Sequence, residues 1–276
     1  QAIADLRGQI EAMQPKLRRI ATLELRVSEL RDQVSKLSEQ LEQARELFEK
    51  VTAGLAEKGL THNDVNGWWA VHKGFWDVCK TPAILDCFED LLGPDLFIWG
   101  GQYFCKAPGD GKTVPWHQDI SYWPLKPAEH NVSAWIALYD TDASNGCMKV
   151  IPGSHKAVLE HAGELKSSDV LAQALTPSEI DESQAIDFDL KAGEMSLHTD
   201  ALAHCSEANT GDRIRCGMTM RVSSPDVKAD LEAWPTFSWA RLRGTDPGEL
   251  NPCFGPPTGE VIPTGYNQFS GVNAGT

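Results

Sequence analysis

The sequence predicts a β-sandwich or jelly roll with flanking helices, preceded by a coiled-coil-like helical segment. Apolar residues in the first fifty-odd positions recur with a 3.5-residue period, the seam of a coiled coil. After Gly59 the composition changes abruptly: all nine tryptophans and every proline except Pro15 lie beyond it. From about residue 96 the apolar period becomes two, in short runs separated by Gly, Pro, Asn and Asp. Many short strands after a helical start point to an all-β core with helices covering one sheet.

The amino-terminal segment, residues 1–57, carries Leu23, Val27, Leu30, Val34, Leu37, Leu41, Ala44, Phe48, Val51 and Leu55 at alternating spacings of four and three. An earlier stretch (Ile3, Leu6, Ile10, Met13, Leu17, Ile20) keeps the rhythm in another phase, and Pro15 predicts a kink or fresh helix start. The seam reads as a homodimer contact or a docking face for a partner helix, or else as a helical pair folded onto its own domain. Residues 58–276 form the second expected domain. There 62–80 looks helical, and Thr81 as N-cap with Pro82 opens a helix whose apolar face is Ile84, Leu85, Phe88, Leu91 and Leu92, closed by Gly93-Pro94. Strands are predicted over 96–106, 132–139, 147–151, 186–190, 194–198 and 213–222, and the Pro- and Gly-rich tail from 223 is predicted to be irregular, wrapping the barrel or contributing to a lid.

Composition narrows the function. With Lys+Arg 25 against Asp+Glu 39 the formal charge is −14, which repels a phosphate backbone and argues against a nucleic-acid partner. No apolar run has the length of a membrane span, and no signal-peptide pattern is present at the start. Seven cysteines without a CxxC pair read as reduced thiols, so a cytoplasmic location is expected and a zinc ribbon is not.

The chemistry lies in three segments. In Val114-Pro115-Trp116-His117-Gln118-Asp119, an imidazole and a carboxylate two apart on extended chain share one side and can bind one metal ion. A second copy, His198-Thr199-Asp200, competes with it. His204 is far from the first pair in sequence and can add a third donor from a distant strand, which completes a 2-His-1-carboxylate face with open positions. His198 and Asp200 are too near His204 in sequence to share that face easily and fall to the pocket wall. Downstream, Arg215 offers a two-pronged carboxylate donor, with Arg213 and Arg221 as rivals on the same strand face. The third segment is Asn145-Gly146-Cys147 through Pro152-Gly153-Ser154-His155-Lys156, in which His155 reads as structural.

With Lys106-Ala107-Pro108, Tyr122-Trp123, Trp135 and the series His204, Ser206, Asn209, Arg215, the order and spacing of these motifs over residues 60–222 resemble the phytanoyl-CoA dioxygenase family of Fe(II)/2-oxoglutarate-dependent oxygenases. The resemblance implies a double-stranded β-helix, a cupin-like jelly roll. It implies that His117, Asp119 and His204 hold Fe(II), and that Arg215 pairs with the far carboxylate of the co-substrate 2-oxoglutarate. Lys106, Trp135 and Ser206 would line the same pocket. The implied activity is hydroxylation of an unactivated C–H bond of a small-molecule or acyl substrate, with O2 consumed and succinate and CO2 released. Related halogenases lack the carboxylate that Asp119 supplies, so its presence favours hydroxylation. Tyr103, Trp116, Tyr122, Trp123 and Trp135 fall near the predicted cavity mouth, either as aromatic cavity walls or, the favoured account, as the ordinary core of a small barrel. The acidic balance favours a small molecule over a coenzyme A ester. The alternatives are a zinc-binding or non-catalytic barrel and a coiled-coil scaffold carrying a relic oxygenase domain.

Overall fold

The computed structural model describes residues 2–264. Helix α1 (Ala2–Ala56) runs unbroken through Pro15, so the expected restart there is absent. Proline removes one donor from the helical ladder, and the turns on either side keep theirs. The chain's contacts divide between Gln43 and Ala44, whereas its composition changes at 57/58. In the first unit Leu23, Val27, Val34 and Leu37 are exposed, and Arg26 pairs with Glu29 one turn on at 3.2 Å. In the second, Ala44, Phe48, Val51 and Leu55 continue the same seam and are buried. The last turns of α1 therefore belong to the core of the β-rich body.

The predicted helix over 62–80 is broken into a 3-10 turn at His62–Asp64, α2 (Trp68–Val71) and α3 (Lys73–Cys79). The break follows from Gly67 at φ 70°, a left-handed residue that ends any continuing helix. Helix α4 (Pro82–Leu92) starts at proline and stops at Gly93 as predicted. Thr81 makes no side-chain cap; its carbonyl instead accepts from Ile84 and Leu85. Leu85 and Phe88 are buried, while Leu91 is exposed.

The strands are β1 (Leu96–Lys106), β2 (Val114–His117), β3 (Leu125–Lys126), β4 (Asn131–Ala137), β5 (Met148–Val150), β6 (Ile186–Asp187), β7 (Met195–Thr199), β8 (His204–Ser206), β9 (Arg215–Ser223), β10 (Lys228–Ala229), β11 (Trp239–Arg243) and β12 (Cys253–Phe254). They form a six-stranded sheet in the order β12-β11-β1-β9-β4-β7, a four-stranded sheet β2-β8-β5-β6 and a two-stranded pair β10-β3. All pairings are antiparallel except β11 with β12. The tail is thus not wholly irregular, because β11 adds to the large sheet beside β1, with Trp239, Ala240 and Leu242 buried.

The register of the large sheet sets up the site. Side chains alternate across a strand, so paired positions two apart share a face. One face carries three successive cross-strand rows: Gly100–Arg221–Ser133–His198, then Gln102–Thr219–Trp135–Ser196, then Phe104–Gly217–Ala137, with Lys106 opposite Arg215 beyond them. A bulge in β1 between Ile98 and Gly100 breaks the alternation at Trp99. Among the described residues no helix is long and apolar enough to cross a membrane.

Candidate metal centre

His117 ends β2 and His204 opens β8, and the two stand directly opposite each other in antiparallel register. Their ring centroids are 4.1 Å apart. Asp119 is not on the strand: after the extended Gln118 the chain turns into a 3-10 turn, Asp119–Ser121. The two-residue spacing still delivers the carboxylate, with Asp119 Oδ1 3.3 Å from His117 Nε2. The donor atoms of His117, Asp119 and His204 lie within 4.8 Å of one another, and all three residues are buried.

The imidazoles are oriented from behind. His117 Nδ1 donates to the Pro115 carbonyl at 2.9 Å, and His204 Nδ1 donates to the Leu202 carbonyl at 2.8 Å. Because a carbonyl can only accept, the proton sits on Nδ1 and the Nε2 lone pair is left for a cation. Burial, reinforced by His117, pushes His204 down to about 3, so it is neutral as a ligand must be. Burial alone would raise Asp119, but the polar surroundings led by His117, with the Arg221 cation adding its charge, outweigh this and hold the carboxylate below its usual range. Gln118, to which no motif points, clamps the turn. Its Nε2 donates to the carbonyls of Ala157 (2.8 Å) and Ala201 (2.5 Å), while its Oε1 accepts from the Leu159 amide at 2.8 Å.

The triad opens on a cavity of about 370 Å³ that also bears Lys106, Trp135, Ser206, Arg215, Thr219 and Arg221. Arg215 is 4% exposed, lies 4.8 Å from the Trp135 ring and leaves its Nε without a hydrogen-bond partner. Burial lowers its pKa, and the groups that oppose this are thiols, with no carboxylate among them. Ser206 Oγ is likewise buried and unpartnered. Lys106 donates to the carbonyls of Ser206 (3.1 Å) and Glu207, and burial followed by the Arg215 charge pushes it down to about 7. An unpaired buried guanidinium is costly, so this end of the cavity is built to receive an anion. Trp135 can lie here because position 217 is glycine: a Cβ there would fall 2.1 Å from the indole.

The rival groups separate cleanly. Arg213 is exposed and pairs with Asp142 at 2.6 Å. Arg221 does line the cavity, at the end of the β9 face away from Arg215. His198 lines the wall, its ring 5.1 Å from that of His204, and burial pushes it down to about 4. Asp200 is buried, which raises its pKa, but it does not line the cavity with His198. Tyr122, Trp123 and Trp135 line the cavity as expected. Tyr103 does not: as an odd-numbered neighbour of Gln102 it faces the helices and packs on Phe48, His62, Trp68 and Phe75. Trp116 packs on Ile151, Leu175 and Ala203 instead. The Asn-Gly-Cys segment is scaffolding. Gly146 has φ 77°, and a Cβ there would meet the Glu207 carbonyl at 2.6 Å. Asn145 donates to the Asp140 carbonyl at 2.9 Å, and Asn209 donates to those of Lys106 and Arg213. His155 is exposed in its turn.

Comparison with known proteins agrees with this geometry. A family model described as phytanoyl-CoA dioxygenase (PhyH) matches residues 9–217. The peroxisomal phytanoyl-CoA dioxygenase of Homo sapiens is 35% identical over 91 residues, covering 32% of this chain and 27% of that protein. Phytanoyl-CoA dioxygenase domain-containing protein 1 of Danio rerio is 27% identical over 171 residues, covering 60% of this chain and 56% of that protein. For the probable phytanoyl-CoA dioxygenase of Caenorhabditis elegans and the peroxisomal enzyme of Mus musculus, the match spans only 29% and 25% of their lengths. Among solved structures, the apo form of the non-heme monooxygenase ThoJ aligns with a TM-score of 0.68 at 30% identity, covering 81% of this chain and 82% of that one. A ThoJ–Ni complex aligns with a TM-score of 0.65 at 28% identity and the same coverage.

Proposed function

The chain belongs to the phytanoyl-CoA dioxygenase family, and from that premise we propose that its body is a double-stranded β-helix hydroxylase. It uses Fe(II), 2-oxoglutarate and O2 to hydroxylate an unactivated C–H bond of a small molecule, with release of succinate and CO2. The observation that carries this reading is the pairing of a buried His117–Asp119–His204 donor set with the buried, unpartnered guanidinium of Arg215 in one cavity. The donor set fits a divalent iron: two neutral imidazoles and one carboxylate from one side, with the remaining positions open to the cavity.

Bound there, the iron and the 2-oxo acid supply the oxygen activation, and the protein supplies position and exclusion of water. Arg215 meets the far carboxylate with two parallel donors, and Ser206 Oγ gives that carboxylate a further hydrogen bond. Lys106 adds charge from the neighbouring strand, and Trp135 walls the co-substrate off from the substrate side. The Pro115 and Leu202 carbonyls keep the two imidazoles in the metal-binding tautomer throughout turnover.

A zinc-binding barrel is disfavoured by Arg215, because a hydrolytic or structural zinc site has no use for a buried diacid clamp. Anaerobic titration with Fe(II) and 2-oxoglutarate tests the proposal. A weak visible charge-transfer band is expected in the wild type and lost in His117→Ala; equal behaviour of the two proteins would sink the reading. Single-turnover succinate formation across a panel of small molecules then identifies the substrate.

A further inference from the structure

We propose that Arg221 is the anchor for a carboxylate on the primary substrate, so that the enzyme acts on a small monocarboxylic acid with an apolar or aromatic body. The inference deepens the oxygenase reading and rests on it for the word substrate; the anion site itself rests on geometry.

Arg221 and Arg215 occupy the same face of β9, six residues apart, which is roughly 20 Å at about 3.3 Å per residue. Each guanidinium also lies over a different indole, Arg215 over Trp135 and Arg221 over Trp123, so the two cations hold separate parts of the wall and the far one is left for a second ligand. Arg221 stands opposite Gly100 on β1 and Ser133 on β4. The glycine makes room: a Cβ at Gly100 would lie 3.0 Å from Arg221 Cδ. The guanidinium stacks 4.4 Å from the Trp123 ring, which fixes its plane. Among the described residues it has no ion-pair partner, and its Nε is buried without a hydrogen bond. Ser133 Oγ, its neighbour across the strand, is buried and unpartnered too. Asp119 and Asp200 sense the charge, but neither is paired to it.

Two buried donors without hydrogen-bond partners, on neighbouring strands, match one planar anion. A single arginine with a hydroxyl is a carboxylate site rather than a phosphate site, which would call for more donors. In a chain of formal charge −14, a cation in the cavity wall at the end away from Arg215 also gives an acid a favourable destination. Trp99 packs on Trp123 at 5.0 Å and Trp234 on Trp99 at 6.0 Å, and all three line the cavity, so the body attached to the carboxylate is apolar or aromatic. At about 370 Å³ for co-substrate and substrate together, that body is small.

The test uses the anaerobic Fe(II)·2-oxoglutarate holoprotein. 3-Phenylpropionate, 4-phenylbutyrate and octanoate are each titrated against their primary amides, with tryptophan fluorescence as the readout. At least one acid is expected to bind about tenfold or more tighter than its amide, and Arg221→Gln should shrink that ratio to about twofold or less. Arg221→Lys should restore part of it, and thermal melting checks that each variant is folded. The 2-oxoglutarate midpoint should stay within about threefold of wild type in both variants. No preference for any acid in the wild type, or a preference that survives Arg221→Gln, overturns the inference. So does a loss of preference that travels with loss of 2-oxoglutarate binding, which would make Arg221 part of the co-substrate site. If the charge-transfer band is absent from wild type, the oxygenase reading fails on its own, and the same acid–amide comparison on metal-free protein still judges the anion site.

Discussion

The two sheets contribute to the cavity in opposite ways. The small sheet presents neutral and anionic donors from strand ends: His117, His204 and, from the turn just beyond, Asp119. The large sheet presents cations, Lys106, Arg215 and Arg221, from within or at the ends of its two longest strands. The metal ligands are set by chain reversals and backbone carbonyls close in sequence. The cations are set by register over a long ladder, and among the described residues none of them is in an ion pair. One sheet therefore offers a compact donor set that could hold a metal ion, and the other offers buried cations that anions would complete.

Substitutions can separate these roles, and the largest effect is expected at the small sheet. His204→Ala should abolish the Fe(II)·2-oxoglutarate band and lower succinate formation by more than about a hundredfold, because even partners behind a ligand cost 10–100-fold. Next, Arg215→Gln should raise the 2-oxoglutarate midpoint by about ten- to a hundredfold while leaving metal affinity alone, the loss expected for charge-assisted hydrogen bonds to one carboxylate. If metal affinity fell in parallel, the division of labour between the sheets would be wrong. Gly217→Ala forces a Cβ into the Trp135 indole and should cost about 1–3 kcal/mol by urea unfolding, with 2-oxoglutarate binding weakened as the ring moves.

The smallest effect is the pH dependence of Lys106. Its folded pKa is pushed down to about 7, by burial first and then by Arg215. Below that pH the ammonium is present to help hold a carboxylate; above it the charge is lost. Affinity for 2-oxoglutarate should fall a few-fold as pH rises through about 7, and Lys106→Met should flatten that profile. Stability of the ligand-free protein should move the other way. The unfolded chain keeps this proton above pH 7 while the folded chain does not, so stability rises with pH from about 7 toward the ordinary lysine value. Urea midpoints across that range for wild type and Lys106→Met check the sign.

Much of the centre was legible because it depends on short spacings. A spacing of two positions from His117 to Asp119 brings donors together whether the chain is strand or turn, so the pairing survives the end of β2 at His117. Arg215 was harder to distinguish, since Arg213, Arg215 and Arg221 share a parity. Only burial and the Asp142 partner of Arg213 separate them. Tyr103 shows the converse, because its parity alone placed it on the helix side, away from the cavity. The Gln118 clamp and strand β11 depend on segments remote in sequence meeting in space, which no local period records. The apolar seam of α1 is a third case. Its rhythm is continuous, yet Val34 and Leu37 are exposed and Phe48 and Val51 are buried, since periodicity specifies a face and not what covers it.

The ladder that carries the imidazoles is short. Strand β2 has four residues and β8 three, and their register holds at two positions, Val114 with Ser206 and His117 with His204, with an irregularity between. A slip of one residue would turn an imidazole to the opposite side of the sheet. A cation bound by both rings would act as a rivet on that alignment and add its binding free energy to the stability of the fold. Chelation of such a cation should loosen this edge first and open it to added protease.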